Sequence, residues 1–450
     1  MKLQGSQYSA RAAGTHAKLE IDRGCGEMGL QRRKPAWVSG RVFLRASEAV
    51  ELDVLAEPAK RVKMYKTAVE SFRAFPGKGL GFLAFWFFLV FPTRVLGQTW
   101  EWTSETVDAS GESISIAADL DGNLHMSYLA GNQMVRYGFR PAHTPRWFTM
   151  EIPGTPTEGN SHMPTRIALD PKGNPHVCLT PGVLKYASFD GKRWSVQQID
   201  PGIGLVSFTC SVAIAPDGTQ HVVWYQYGVP GGGYYLHVKH AVLQNGVWMA
   251  RTIDFEGQTG KWNSISIDAQ GMVHATYDSF LKGQLKYALW NGKEWHVSIV
   301  DPSGGGGMGN SVLVNRDGEA QVSYEHDDKL LYAWQTPTSW KIETVNQIST
   351  NGGWLGFRSR QALDPQGNPH IVYEDGGAVE HAFWDGSGWK IQLVSARGLE
   401  SNRFCDIAID SEGTIYIAFR DANDGSVKVV VGRPQTPAKI ASAADGKKEK

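Results

Sequence analysis

Three acids recur at one register of a repeated segment, Asp278, Glu325 and Glu374, and the next copy places Arg420 there. Carboxylates so arranged can accept from sugar hydroxyls. An acid whose pKa is lifted by neighbouring acids, Glu325 or Glu374, can also serve as general acid or base. A second register carries Arg166, Arg360 and Asp406 where other copies hold Ser115, Ser211, Ser264 and Ser311. Buried charges are costly unless they are paired or turned to a ligand. Together with Arg358 and Arg403, these arginines could clamp a uronate or sialate carboxylate. The alternative is an ion pair between Arg360 and Asp406 of adjacent copies. Trp262 and Trp354 lie outside the repeated tryptophan column, in varied loops, and aromatic faces beside Arg and carboxylates suit sugar rings.

Five histidines, His125, His176, His221, His274 and His370, share a third register. Set on separate copies around a ring, they do not converge on one ion, so they read as hydrogen-bonded structural groups. No metal or cofactor is implied.

The elements that hold these residues follow from the repeat. Each copy reads apolar strand, turn with Gly, strand opening on His-Val, a third strand ending Tyr-Ala, an Asp-Gly or Asn-Gly turn, and Trp-x-x-x-x-Val/Ile-Asp. The turn glycines Gly122, Gly173, Gly218, Gly271, Gly318, Gly367 and Gly413 are spaced 51, 45, 53, 47, 49 and 46 residues apart. Self-similarity at that period with four strands per unit predicts an all-β, seven-bladed β-propeller. Asp170-Pro-Lys-Gly173 and Asp364-Pro-Gln-Gly367 have type I turn chemistry. Asp190-Gly191, Asn245-Gly246, Asn291-Gly292 and Asp385-Gly386 read as two-residue hairpins with both residues at positive φ. Trp147, Trp194, Trp248, Trp295, Trp340 and Trp389 open the outermost strands and read as wedges between blades.

The last repeat supplies three strands and no tryptophan strand. Trp102-Thr-Ser-Glu-Thr-Val107-Asp108 matches the missing one, so the expectation is a ring closed by that segment beside Val427–Val431.

The unit DPxGxPHVxY…LxYAxxxGxxW resembles the propeller repeats of the sialidase-like (BNR, Asp-box) superfamily over residues 99–432. Ser188-Phe-Asp190-Gly191-Lys-Arg-Trp194 is similar to an Asp-box, Ser-x-Asp-x-Gly-x-x-Trp, one residue shorter between Asp and Gly. Sialidases of that superfamily have six blades, an arginine triad for a carboxylate and a Tyr/Glu nucleophile pair. Tyr324 and Tyr373 precede the acids Glu325 and Glu374, but strand alternation turns them to the other face.

Composition fits the same picture. In 450 residues, 45 basic and 45 acidic side chains cancel, which argues against a nucleic-acid surface, and 51 glycines with 16 tryptophans suit short strands and aromatic wedges. Four cysteines are too few for a disulfide framework. Cys178, Cys210 and Cys405 read as small buried thiols, with a Cys178–Cys210 bridge as the alternative. No Asn-x-Ser/Thr sequon occurs, as suits a bacterial source.

Before the repeats, Met64, Lys66, Arg73 and Lys78 precede an apolar run from Leu80 to Phe91 and then Val95-Leu96-Gly97. This is a signal-peptide pattern over 64–97, too short for a membrane span. Residues 1–63 read as upstream sequence outside the protein or as an unstructured extension, the propeller as 98–433, and 434–450 as a tail. The expected protein is exported, monomeric and without a membrane span. Its first reading is a lectin-like module for a glycan or polysaccharide. The others are a glycoside hydrolase or polysaccharide lyase, and an interaction scaffold.

Overall fold

A computed structural model of the chain describes residues 100–156, 165–180, 183–199, 206–227, 236–256, 258–303, 306–349, 359–396 and 405–434. They form seven four-stranded sheets, each antiparallel throughout, with no helix among the described residues. No helix long and apolar enough to cross a membrane is found there. The chain is a seven-bladed β-propeller.

Strand β1 (Trp100–Asp108) comes first in the chain. Blade one follows with β2 (Gly111–Ala118), β3 (Leu124–Ala130), β4 (Met134–Arg140) and β5 (Phe148–Pro156). Blade two has β6 (Arg166–Leu169), β7 (Pro175–Leu179), β8 (Lys185–Phe189) and β9 (Trp194–Gln198). Blade three has β10 (Val206–Ile214), β11 (Gln220–Tyr227), β12 (Leu236–Gln244) and β13 (Val247–Thr252). Blade four has β14 (Thr259–Ile267), β15 (Val273–Ser279), β16 (Gln284–Trp290) and β17 (Trp295–Asp301). Blade five has β18 (Met308–Val314), β19 (Ala320–His326), β20 (Lys329–Gln335) and β21 (Trp340–Gln347). Blade six has β22 (Arg360–Leu363), β23 (Pro369–Asp375), β24 (Ala378–Trp384) and β25 (Trp389–Ser395). Blade seven joins β26 (Asp406–Ile409), β27 (Ile415–Arg420) and β28 (Val427–Pro434) to β1, which pairs with β28 from Trp100↔Pro434 to Asp108↔Val427.

The innermost strand of each blade runs from a loop-rich face to the glycine turn on the opposite face. All seven turn glycines take positive φ, between 79° and 88°, a region open to Gly at no steric cost. The outer hairpins differ from expectation. Only Asn245-Gly246 has both residues at positive φ; in the other three the Asp or Asn is not left-handed. There its side chain accepts backbone N–H groups instead, as Asp190 does from Lys192 and Arg193, and this Asx bonding stabilises the turn without the I′ geometry.

Adjacent blades are joined by three recurring contacts. The tryptophans are wedges: all but Trp147, which packs on the aliphatic β28 cluster, meet an aromatic ring on the third strand of the preceding blade, with centroids 5.3 Å apart for Tyr137–Trp194, 4.9 Å for Tyr186–Trp248, 5.1 Å for His240–Trp295, 5.2 Å for Tyr287–Trp340 and 5.2 Å for Tyr332–Trp389. Their edge-to-face geometry is the favoured one. The acid ending an outer strand accepts from a tyrosine of the next blade: Tyr128–Asp108 at 2.7 Å, Tyr277–Asp254 at 3.0 Å and Tyr324–Asp301 at 2.8 Å. Tyr324 is therefore a rivet, and Tyr324→Phe should cost about 2 kcal/mol of unfolding free energy, since a bond to a buried charge is lost. An unchanged urea midpoint would show that Asp301 finds equivalent donors. The third contact is a polar staple near the loop face: Ser127–Thr165 at 2.9 Å, Thr276–Asn310 at 2.8 Å and Ser323–Ser359 at 2.8 Å.

At the staple position between blades two and three stand Cys178 and Cys210. They form a disulfide with Cα atoms 6.3 Å apart, so the expectation of free thiols there is corrected. Cys405 is a buried thiol outside the disulfide, held protonated chiefly by burial.

The histidine column is structural. His125, His176 and His274 each bridge a turn aspartate (Asp119, Asp170, Asp268) and a tyrosine on the neighbouring strand (Tyr137, Tyr186, Tyr287). Each ring is hydrogen-bonded at Nδ1 to its tyrosine hydroxyl, and His125 and His274 also at Nε2 to their aspartates. Among the described residues no cluster of His, Cys, Asp or Glu could hold a metal.

Candidate functional site

The loop face is built on the rim ends of the innermost strands. Those strands do not pair with one another, so the ring is tied there by side chains. Ser211 donates to the backbone carbonyl of Asn263 on the next blade, Ile167 N donates to Ser115, and Val312 N donates to Ser264. Blades one, three, four and five carry register shifts at this rim, at Glu112/Ser115, Val206/Cys210, Thr259/Asn263 and Met308/Ser311. Bulges re-aim side chains towards a site. Gly260 permits one of them: at φ +97° a Cβ would stand 2.5 Å from that of Val238, an overlap no side chain tolerates.

Two bulge residues are Asn263 and Asn310, both buried. Asn263 Nδ2 donates to Thr209 and to the Gly260 carbonyl, and Asn310 Nδ2 donates to the carbonyls of Trp262 and Gly307. They line a small cavity at the channel mouth, about 10 Å³, with Arg166, Arg360, Trp262, Thr209, Cys210 and Gly309. That is room for about one water or one ligand oxygen. Sequence alternation did not single out the asparagines; the signal for them is a polar residue beside the serine column, aligned with Thr165 and Ser359.

Arg166 and Arg360, from blades two and six, thus converge on one place. Each donates through Nη1 to the carbonyl of the residue before it, Thr165 at 3.1 Å and Ser359 at 3.0 Å, and Arg360 also to Asn310 at 3.2 Å. Arg360 Nε and Asn263 Oδ1 are buried and have no partner. One cavity therefore presents an unfilled donor and an unfilled acceptor. One hydroxyl oxygen, which both accepts and donates, satisfies both at that size; leaving them empty costs about 1–3 kcal/mol each.

Asp406 takes the serine's structural place. It accepts from Ile116 N at 3.1 Å and from its neighbour Ile407 N at 2.9 Å, tying blade seven to blade one. No direct ion pair joins it to Arg360 of the adjacent blade, whose charge nonetheless opposes the burial that raises the Asp406 pKa. In place of the alternative ion pair stand carbonyl bonds on the Arg360 side and amide bonds on the Asp406 side.

The acid column is corrected more strongly. Asp278, Glu325 and Glu374 are 3%, 2% and 5% exposed, so they do not stand in solvent to accept from hydroxyls. The next blade's innermost strand covers them, as Gly307 covers Asp278 at contact distance. Asp278 accepts from Trp262 N at 2.9 Å, pinning the blade-four bulge, and burial pushes its pKa up to about 7. Trp262 is itself only 7% exposed, because the bulge turns it inward, so its ring is no open platform for a sugar. Glu325 differs from its neighbours in that neither carboxyl oxygen has a hydrogen-bond partner. Burial, then the Glu374 charge, hold it well above the carboxylate range, as a neutral acid. Arg420 ends β27 half-buried on blade seven, away from the cavity lining. Trp354, Arg358 and Arg403 lie outside the described residues.

No protein-family model and no curated protein matches the chain. Solved structures do. The structure of an ulvan lyase, titled as a new family of polysaccharide lyase bound to -[GlcA(1-4)Rha3S]-, is similar at 11% identity and TM-score 0.50, covering 76% of this chain and 99% of that one. A lectin from Aleuria aurantia in complex with Fucalpha1-6GlcNAc aligns at 14% identity and TM-score 0.45, over 64% of this chain and 97% of its own. AofleA from Arthrobotrys oligospora aligns at 12% identity and TM-score 0.45, over 66% and 91%. At these identities the likeness is one of fold.

Proposed function

We propose that the protein is an exported glycan-binding propeller. It holds an acidic polysaccharide across the mouth of its central channel, with Arg166 and Arg360 taking a uronate or sialate carboxylate. The observation that carries this reading is the pairing of Arg360 Nε and Asn263 Oδ1, buried and unpartnered in the same cavity. A sugar hydroxyl suits that small cavity, and a sugar acid adds a carboxylate for the two guanidiniums that line it, whose bonds to carboxylates are among the stronger ones. The export pattern over 64–97 and the sialidase-like repeat support the same reading.

A glycan array spanning neutral, sialylated and uronate-containing chains tests it. Binding is expected on the acidic members. Arg166→Ala and Arg360→Ala should each weaken it about 30-fold, the loss of roughly 2 kcal/mol of charge-assisted bonding. Binding confined to neutral glycans, or untouched by both variants, would refute the assignment.

A second reading is cleavage of the bound chain, the activity named for the ulvan lyase whose fold is similar. If the protein is a hydrolase or lyase, uronate polysaccharides incubated with it gain reducing ends, with or without an unsaturated ultraviolet-absorbing terminus.

A further inference from the structure

The third-strand residue facing the histidine column is tyrosine in blades one, two, four and five, as Tyr137, Tyr186, Tyr287 and Tyr332, but it is histidine in blades three and six. There His221 Nδ1 lies 3.0 Å from His240 Nε2, and His370 Nδ1 lies 3.0 Å from His381 Nε2. The second pair is buried, His370 at 3% and His381 at 0% exposure. It sits against strand β1: Trp100 meets His370 and His381 at 5.9 and 6.0 Å, and Trp102 meets His381 at 6.1 Å. No hairpin links β1 to β28; they are opposite ends of the described chain, joined by ladder bonds and by this packing.

The pair has one good protonation state. With His381 Nε2–H donating to His370 Nδ1, the remaining His370 Nε2–H faces Asp364 Oδ2 at 3.8 Å. This tautomer is assigned from the hydrogen-bond network. His381 Nδ1 is then the free basic nitrogen, buried without a partner. A proton added there puts a cation among Trp100, Trp102 and Phe383 with no acceptor. A proton added at the shared contact sets two N–H groups against each other. From the packed elements the titratable groups facing His381 are His370 on β23 and, behind it, Asp364 in the turn. Strand β1 presents two indoles, and β25 presents neutral Gln392 as cross-strand neighbour.

We propose that the His370–His381 pair makes the β1 seam an acid-sensitive latch: closed while both rings are neutral, and opening when protons compete for them. A tyrosine in place of His381, as in four sister blades, gives a latch without the response. The physics is linkage. The closed seam binds fewer protons at His381 than the opened one, where a wetted histidine titrates near 6.5. Stability is therefore full above that pH and lost as pH falls below it. For one such histidine the open population rises about 30-fold at about pH 5.

Hydrogen–deuterium exchange of the full chain, corrected for the intrinsic pH dependence of amide exchange, reads this directly. Amides of β1 should lose about 30-fold of their protection between about pH 7.5 and pH 5, while those of β21, packed on the neutral Tyr287, keep theirs. His381→Tyr should abolish the difference. Should that variant fold poorly, His381→Gln keeps an N–H donor for His370 Nδ1 and carries no titrating ring, and it should abolish the difference too. Equal β1 protection at both pH values, or an acid response that survives in a folded variant, would overturn the latch.

Discussion

Replacing Arg140 with methionine should lower the unfolding free energy by about 3–5 kcal/mol, the cost of stranding one member of a buried ion pair. Arg140 is 1% exposed on β4, and its Nε and Nη2 each reach a Glu105 oxygen on β1 at 2.8 Å. Trp147 Nε1 donates to the same carboxylate at 3.0 Å. The pair crosses the boundary where the last blade meets the first, so its loss leaves a half-covered carboxylate at the junction between chain ends. A second change, Glu105→Gln, removes the stranded charge and should recover part of the loss. Urea titration of the two single variants and the double variant gives the coupling; additive losses would mean the two groups stabilise the fold independently.

The second large effect belongs to the disulfide. It closes a segment of 32 residues between blades two and three. On the loop-closure account a bridge of that span contributes about 4 kcal/mol by restricting the unfolded chain. Cys178→Ser with Cys210→Ser should therefore lower the urea midpoint strongly. The sister staple Ser323–Ser359, a hydrogen bond of 2.8 Å, shows that two hydroxyls fit the position, so steric damage should be slight. Reductant should destabilise the wild type by a similar amount and leave the double variant unchanged. A double variant as stable as the wild type would mean that the bridge constrains little in the unfolded state.

The disulfide also shows where reading by columns stopped short. The repeat identified strands, turns and the aromatic wedges because each is a local pattern of period two with Gly, Pro and Asn punctuation. Cys178 aligns with Ser127, Thr276 and Ser323, and Cys210 aligns with Thr165, Asn310 and Ser359. Alignment of the second strand of one blade with the innermost strand of the next pairs the two cysteines from sequence alone.

The acids failed for a related reason. Alternation places Asp278, Glu325 and Glu374 on one face of their strands, but it does not say that the following blade lies against that face. Burial there is decided by inter-blade packing, which the sequence of a single blade does not contain. Trp262 was misjudged because the β14 bulge shifts the register by which faces were counted, turning the ring inward. The arginines were easier. A guanidinium where sister blades have serine is legible as an exception without knowing the bulge, and both arginines do line the channel mouth.

The account rests on a carboxylate being what Arg166 and Arg360 recognise. Isothermal titration of the full chain with an acidic oligosaccharide bound on the array, against the same oligosaccharide after its carboxyl groups are reduced to alcohols, isolates that contact. The account predicts that reduction of the carboxyls weakens binding by about a hundredfold or more, from two charge-assisted contacts, and that added salt weakens only the acidic form. Equal affinity for the two forms would contradict it.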